Sequence, residues 1–350
     1  MNKMNKIIFL FFIILSVYSK FLSDEEKYVI GLDLGGTNTE FGIVDRKGKI
    51  IETGKIKTKG YNSATSYIDA CIEALKPIIE KVGGMKKIVG MGIGAPNANY
   101  YAGTIEFCPN LPWAHNGIIP IGRMFSERLN NIPVGVTNDA NAAAVGEKIY
   151  GVAQNMKDFI FITLGTGVGS GIFIDNKLVL GSDGFAGELG HVKVVRENGR
   201  SCGCGGKGCL EAYASATGLA RTAVEWLQKT AEPSILRDID LKELTSLDVA
   251  KAAEKGDSLS KKIFEETGRL LGQACANFAA FSSPEAFIFF GGLAGSGELI
   301  LNPIKKGYDE SVMPVFKGKP KFLISGLDGS NAAILGASAI GWEAVDENEE

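Results

Sequence analysis

Short apolar runs alternate along the chain with longer segments whose apolar residues recur every three or four positions. The helical spacing predicts helices at Ser63–Val82, Ala140–Ile149, Thr217–Leu227, Lys261–Phe281 and Asn331–Trp342. The short runs, many bounded by glycine, predict strands at Tyr28–Leu34, Thr39–Val44, Ile50–Thr58, Lys87–Gly94, Val134–Thr137, Phe159–Leu164, Gly171–Ile174 and Ala286–Phe290. Strands alternating with helices predict an α/β architecture, and the acidic tail Asp346–Glu350 is predicted to fray.

One pattern of strand, glycine turn, strand and aspartate occurs twice. Gly31–Asp45 resembles Phe161–Asp175, and in both copies eleven positions separate the last leucine of the strand from the aspartate. The repeat predicts two similar α/β domains, each presenting a glycine hairpin, with a ligand cleft between them. Glycine hairpins expose backbone N–H groups that cradle phosphate oxygens, so the pair favours a nucleotide. Neither copy matches the Walker P-loop pattern.

Composition and charge narrow the classes of partner. The chain has 350 residues, 45% of them hydrophobic and 22% charged, which is ordinary for a globular protein of two domains. Its net charge of −3 provides no broad basic field, so we expect no nucleic-acid partner.

The N-terminus has the pattern of a signal peptide. Two lysines in Met1–Lys6 precede the apolar run Ile7–Tyr18. The run is short for a transmembrane helix, which needs about 20 residues, so any membrane association would depend on residues 7–18 alone. Translation from a start placed too far upstream is the other explanation. Residues 1–26 are therefore set apart from the fold.

A cluster of metal-binding residue types lies between positions 191 and 209. One of the two histidines, His191, precedes Cys202, Cys204 and Cys209. Imidazole and thiolate are the ligands that zinc prefers, and four of them complete a tetrahedral shell, which makes the ion structural rather than catalytic. The alternatives are a disulfide, disfavoured for the closely spaced Cys202 and Cys204, and free thiols packed as small apolar groups.

Two aspartates follow predicted strands. Asp33 ends an apolar strand, where it would hold Mg²⁺ through water or else cap a turn. Asp139 follows the strand Val134–Thr137, where it would accept a proton from a substrate hydroxyl or else act as an N-cap. Neighbouring Asn138 would bind other hydroxyls.

These segments together resemble the ROK family of sugar kinases and sugar-responsive repressors, and most closely its bacterial glucokinases. The resemblance runs from about Tyr28 to Trp342. Its motifs are D-L-G-G-T-N (Asp33–Asn38), G-A-P-N (Gly94–Asn97), P-N-L-P-W (Pro109–Trp113), N-D-A-N-A-A (Asn138–Ala143), L-G-T-G-V-G-S-G (Leu164–Gly171), G-E-L-G-H (Gly187–His191), C-G-C-G-G-K-G-C-L-E (Cys202–Glu211) and F-G-G (Phe290–Gly292). Glu40 departs from the family pattern, in which many members carry a basic residue after the first hairpin.

The resemblance implies a role for each matching residue. Asp139 is expected to be the general base on the sugar 6-hydroxyl. The residues expected to bind sugar hydroxyls are Asn110, Asn138, Glu188, His191 and Glu211. Those expected around the Mg-ATP phosphates are Asp33, Gly35, Gly36, Thr37, Asn38, Gly165, Thr166 and Gly167. Gly291 and Gly292 are expected near the adenosine, and His191 would contact both zinc and sugar.

The resemblance also implies a two-domain fold of the actin-like, ribonuclease H-like ATPase class. We place the small domain at residues 27–136 with 331–350 and the large domain, with the zinc loop, at 137–330. The leading hypothesis is a cytoplasmic, homodimeric ATP:hexose 6-phosphotransferase that uses Mg²⁺ and structural Zn²⁺, with glucose as the first candidate substrate. Fructose, mannose and N-acetylated amino sugars remain alternative substrates. A sugar-sensing repressor of the same family and an exported sugar-binding protein remain alternative functions.

Overall fold

The computed structural model describes residues 27–327 and 331–349. The signal-like segment at residues 1–26 lies outside the described residues. The chain forms two compact units, which are residues 27–146 with 331–349 and residues 147–327. The second unit thus begins ten residues after the boundary placed at residue 137. The reason is packing, since the alanine-rich helix after Asp139 lies against Gly336 of the last helix.

The first unit is built on a five-stranded sheet in the order β3-β2-β1-β4-β8, with a smaller sheet in the order β5-β6-β7. Its strands are β1 (Tyr28–Leu34), β2 (Asn38–Asp45), β3 (Ile50–Lys57), β4 (Ile88–Gly94), β5 (Ala98–Asn99), β6 (Thr104–Glu106), β7 (Ile118–Ile119) and β8 (Val134–Thr137). Strands β1, β4 and β8 are parallel, whereas β2 is antiparallel to β1 and to β3.

The helices of this unit are α1 (Ala64–Lys81), α2 (Ile121–Arg128), α3 (Asp139–Tyr150), whose last four residues belong to the second unit, and α9 (Ala332–Glu349). Helix α1 begins and ends where the pattern predicts, because Ser63 forms a capping box with Ser66 and Val82 ends the helix before Gly83. Helix α9 packs directly on the sheet, since a Cβ built at Gly92 would overlap Ala337 O.

The second unit has an equivalent sheet in the order β11-β10-β9-β12-β13. Its strands are β9 (Phe159–Leu164), β10 (Val168–Ile174), β11 (Lys177–Leu178), β12 (Ala286–Phe290) and β13 (Lys321–Ile324), and its helices are α4 (Glu211–Ala214), α5 (Ala216–Lys229), α6 (Ser246–Glu254), α7 (Ser258–Ser282) and α8 (Glu298–Ser311). The hairpins β1–β2 and β9–β10 occupy the same place in the two sheet orders, so the predicted repeat is confirmed.

One prediction for a single element was wrong, and helix α8 was among the elements that the sequence pattern did not predict. The tail expected to fray is helical to Glu349, because Arg46 pairs with Asp346 at 2.6 Å and stacks on Trp342. Helix α8 was missed because Pro303 lies inside it, although it packs closely along α7 at Gly268 and Gly272. Within residues 27–327 and 331–349, the helices are all too short or too polar to cross a membrane.

Candidate active site

The carboxyl ends of three parallel strands meet at one edge of the first sheet. Asp33 at the end of β1 is in register with Gly94 of β4, and Gly94 is in register with Thr137 of β8. Asn138 and Asp139 follow Thr137 directly. The sheet therefore brings the two predicted carboxylates to the same edge, which is where open α/β sheets bind ligands.

Gly94 lies between the Asp33 carboxylate and the backbone of Asp139. A Cβ built on Gly94 would lie 3.7 Å from the Asp139 Cα and 3.9 Å from Asp33 Oδ1. A side chain at this position would also lie 3.2 Å from the Ala142 Cβ, so it would crowd the place where the Asp33 carboxylate approaches the start of helix α3. The sequence shows Gly94 only as part of a glycine-rich strand, and its role appears once the register is known.

The pKa of Asp33 is raised to about 7, first by burial and then by the negative charges of Asp139 and Glu40. Among the described residues its carboxylate has no hydrogen-bond donor, so the alternative of a turn-capping aspartate is not what the structure shows. A half-buried carboxylate of this kind is suited to a cation or to a metal-bound water.

Asp139 lies at the start of helix α3, but the capping bond is made by its neighbour. Asn138 Oδ1 accepts the N–H of Asn141 at 2.6 Å, whereas Asp139 Oδ1 accepts the N–H of the adjacent Ala140, at 2.8 Å. The surrounding protein raises the pKa of Asp139 by desolvation, although the side chain remains accessible to solvent. Asp139 is thus available as a proton acceptor, and Asn138 keeps its amide nitrogen for a ligand.

The first glycine turn lies beside the loop that carries Asn110. A Cβ built on Gly36 would lie 3.8 Å from the Asn110 Cβ. Thr37, Asn38 and Asn110 are exposed, while Gly35 and Gly36 are half-buried. The structure thus brings the predicted phosphate turn and one predicted sugar residue together within the first unit.

The second glycine turn, Gly165–Gly167, joins β9 to β10. Gly291, with φ +100°, lies against the backbone of Leu164, which immediately precedes this turn. A Cβ on Gly291 would come within 2.8 Å of Leu164 O, so glycine is required here by both conformation and space. The residues predicted to meet phosphates and adenosine in this unit, including Thr166 and Gly292, therefore lie at adjoining strand ends.

Glu211, the first residue of α4, packs directly on this turn. Its Oε2 accepts the N–H of Val168 at 3.0 Å, and a Cβ on Gly167 would overlap the same oxygen. Its Oε1 lies 3.4 Å from Cys202 Sγ. The predicted sugar residue Glu211 therefore connects the glycine turn to the cysteine cluster.

The four predicted metal ligands form a compact cluster. The donor atoms of His191, Cys202, Cys204 and Cys209 all lie within 4.8 Å of one another. Cys202 Sγ is 3.6 Å from His191 Nδ1, and Cys204 Sγ is 3.6 Å from Cys209 Sγ. A tetrahedral zinc site places sulfur about 3.6 Å from nitrogen and about 3.8 Å from sulfur, so the donor set fits zinc. Cysteines 71, 108 and 275 are buried, as expected of packed thiols.

The ring of His191 has two distinct sides. Its Nδ1 faces the cysteines, while Nε2 lies 3.8 Å from Glu188 Oε2. Lys193, which the sequence interpretation missed, donates to Cys209 Sγ at 2.8 Å. A bound ion of charge +2 with three thiolates would carry one net negative charge, which the Lys193 ammonium is placed to offset. The only sequence signal was its spacing, two positions after His191.

A model of the ROK family matches residues 29–343. The chain belongs to the ROK family. This match includes the strand ends, both glycine turns and the cysteine cluster described above.

Relatives with curated names include both enzymes and regulators. The chain is 35% identical over 319 residues to a glucokinase of Streptomyces coelicolor, an alignment that covers 90% of this chain and 97% of that protein. It is 29% identical over 280 residues to a xylose repressor of Caldicellulosiruptor bescii, which covers 79% and 69% of the two chains. The family relation alone therefore does not decide between catalysis and regulation.

Among solved structures, the chain resembles a ROK family glucokinase from Streptomyces griseus determined with glucose and AMPPNP. The two are 36% identical with a TM-score of 0.74, and the alignment covers 90% of this chain and 99% of the other. The fold is therefore the two-domain actin-like ATPase fold implied by the motifs.

Proposed function

We propose that this ROK protein is an ATP-dependent hexose 6-kinase whose first candidate substrate is glucose. The observation that carries the proposal is that Asp33 and Asp139 lie at the same end of the first sheet. Asn138, not Asp139, accepts the N–H of Asn141 that caps helix α3, so the Asp139 carboxylate remains available to a substrate. The similarity to glucokinases over nine-tenths of the chain supports the same conclusion.

In the proposed reaction Asp139 accepts the proton of the sugar 6-hydroxyl. The hydroxyl oxygen forms a bond to the γ-phosphorus as the bond to the β–γ bridging oxygen breaks, and ADP leaves. Because the transition state of phosphoryl transfer is loose, positioning and charge stabilisation supply most of the rate. Desolvation raises the pKa of Asp139, which makes its carboxylate a stronger proton acceptor than that of an ordinary aspartate.

Each unit supplies proposed binding residues. In the first unit, Asn110 and Asn138 would bind sugar hydroxyls, Gly35, Gly36, Thr37 and Asn38 would meet phosphate, and Asp33 would hold Mg²⁺ through its water shell. When bound, Mg²⁺ neutralises phosphate charge. In the second unit, Glu188, His191 and Glu211 would bind sugar hydroxyls, Gly165, Thr166 and Gly167 would meet phosphate, and Gly291 and Gly292 would contact adenosine.

We also propose that His191, Cys202, Cys204 and Cys209 hold a structural Zn²⁺. All four ligands come from the protein, so no position is left for substrate and the ion fixes the loop. Since Nδ1 of His191 faces the cysteines, Nε2 is the atom presented to a sugar hydroxyl, and its orientation depends on the metal.

The test is ADP release by the purified full chain with Mg-ATP and each of glucose, fructose, mannose, N-acetylmannosamine and xylose. We expect turnover on a hexose, with glucose giving the highest kcat/KM, and none on xylose, which has no 6-hydroxyl. A folded protein that binds a sugar without releasing ADP would instead support the regulatory function, which the xylose repressor relatives favour.

A further inference from the structure

Arg200 lies two positions before the first cysteine of the cluster, and its guanidinium group is almost fully enclosed. The side chain is 9% exposed. Enclosing a permanently charged group is costly unless its donors are satisfied and its charge is paired. Arg200 was not among the predicted site residues, because its contacts become apparent only in three dimensions.

All five N–H donors of this guanidinium group are engaged. Nε and Nη2 form a fork with the two carboxylate oxygens of Glu225, at 3.1 and 2.7 Å. Nη2 also donates to Thr222 Oγ1 at 3.0 Å, and Nη1 donates to the carbonyls of Ala212 and Gly218 at 3.0 and 3.2 Å. Only arginine has five donors in a planar fork, so lysine cannot reproduce these contacts.

The partners of Arg200 belong to α4 and α5. Ala212 directly follows Glu211 in α4, and the Tyr213 hydroxyl accepts the backbone N–H of Arg200 at 2.8 Å. The Tyr213 ring also lies 4.6 Å below the guanidinium carbon. Arg200 therefore holds the two residues that follow Glu211.

The backbone of Arg200 is also part of the cysteine loop. Its carbonyl accepts the N–H of Gly208, next to the ligand Cys209, at 2.8 Å. One residue thus joins the loop that carries the metal ligands to the helix that carries Glu211.

We propose that Arg200 is a positioning residue for the sugar site, holding Glu211 in place through contacts that do not involve the metal. The inference rests on the proposed function, in which Glu211 binds a sugar hydroxyl. The cysteine loop then has two anchors. A bound metal would be held by Cys202, Cys204 and Cys209 within the loop, and the Arg200 side chain fixes the entry to the loop against α4 and α5.

Arg200→Lys is the direct test, and Arg221→Lys is its matched control. Arg221 shares Glu225 at 3.1 Å but is 46% exposed, and its other bond is a 3.4 Å contact to Ser201 O. For each full-length variant the measurements are zinc per chain by atomic emission, sugar Kd by calorimetry, and KM for sugar and for ATP.

We expect Arg200→Lys to keep about one zinc per chain, to raise the sugar Kd and KM by about tenfold, and to change the KM for ATP less than about threefold. Arg221→Lys should match the wild type in all of these. A folded Arg200→Lys variant with the wild-type sugar Kd would overturn the proposal, as would a variant that loses thermal stability with no change in the sugar constants.

Glu225→Gln covers the case in which Arg200→Lys does not fold. It keeps the shape of the partner but removes its charge, and we expect a smaller rise in the sugar Kd with zinc retained. An unchanged Kd in that variant would also overturn the inference. The proposed function fails separately, when the wild-type protein neither binds nor phosphorylates any sugar, and the inference would then fail with it.

Discussion

Asp33 and Asp139 lie at the same end of the first sheet, but their immediate surroundings differ. Both are desolvated at the sheet edge, so protein surroundings raise both pKa values. Asp33 has no donor among the described residues and carries the added repulsion of Asp139 and Glu40. Asp139 accepts the Ala140 N–H, which favours its ionised form. The two carboxyl groups therefore differ in their protein partners, and the roles we propose for them, Mg²⁺ binding for Asp33 and proton acceptance for Asp139, are tested separately.

Substitution of Asp139 by asparagine tests its role as base. We expect Asp139→Asn to lower kcat by at least about 100-fold, the usual scale for loss of a general base, while the sugar Kd changes little. Exposed Asp309 on α8 provides the control, and Asp309→Asn should leave kcat unchanged. Nearly normal turnover of Asp139→Asn would remove Asp139 from the catalytic role.

The raised pKa of Asp33 predicts a pH-dependent cost in stability. The pKa of Asp33 is near 4 in the unfolded chain and about 7 in the folded protein. Between pH 4 and pH 7 the folded protein therefore binds a proton at Asp33 that the unfolded chain has lost, so the free energy of unfolding falls as pH rises through this range. We expect Asp33→Asn to raise the free energy of unfolding by on the order of 2 kcal/mol at pH 8 and by much less at pH 5, while activity falls. Urea unfolding at the two pH values measures this, and an equal gain at both would contradict it.

The sequence motifs located Asp33 and Asp139, but they could not show which residue caps the N-terminus of helix α3. An Asn-Asp pair at a helix start leaves open which side chain accepts the capping N–H. Only the 2.6 Å bond from Asn141 to Asn138 Oδ1 decides it. Lys193 and Arg200 were missed for a related reason, because their partners lie 16 and 25 positions away along the chain.

Helix α9 is held against the first sheet by the close approach of its backbone to strand glycines. A Cβ on Gly92 would overlap Ala337 O, so the helix or the strand would have to move. We expect Gly92→Ala to lower the free energy of unfolding by about 3 kcal/mol or more, in line with overpacking of a close-packed interior.

Gly117→Ala is the matched control for that change. A Cβ on Gly117 meets nothing within 4 Å, and its φ is not positive, so the substitution should change the free energy of unfolding by less than about 0.5 kcal/mol. Denaturant unfolding of both variants is the measurement. Equal stability of the two variants would show that α9 does not pack on β4 as described.

The cysteine loop is the element in which metal and sugar binding are expected to be coupled. Cys204→Ser removes one thiolate, so we expect zinc loss and a sugar Kd raised by about tenfold, because His191 and Glu211 lose a fixed support. Cys275→Ser, at a buried thiol of α7 outside the cluster, should keep zinc. Full zinc occupancy with an unchanged sugar Kd in Cys204→Ser would count against this coupling.

Periodicity predicted several of the helices well, but it did not find every amphipathic helix. Helix α1 matches its prediction at both ends, because Ser63 is a recognisable N-cap and glycines follow the helix. Helices α2, α6 and α8 were missed. Helix α8 contains Pro303 and depends on packing along α7, a contact that a local pattern does not reveal.

The two units share one sheet topology, which confirms the internal repeat read from the sequence. Each places a glycine hairpin at the centre of a five-stranded sheet. The sequence predicted the length of α3. It did not predict that the boundary between the two units lies inside this helix, because that boundary depends on which residues of α3 pack on α9. The homodimer and the roles of residues 1–26 stay predictions. Light scattering of the purified chain would test whether it forms a homodimer.

The proposed hexose 6-kinase activity is tested most directly by detecting the phosphorylated sugar itself. The full chain, loaded with zinc, is incubated with Mg-ATP and glucose, and the products are followed by phosphorus NMR beside the Asp139→Asn variant. We expect glucose 6-phosphate in equal amount to ADP with the wild-type protein, and at least about 100-fold slower formation with the variant. A folded, zinc-loaded wild-type protein that forms no sugar phosphate from any hexose would contradict it.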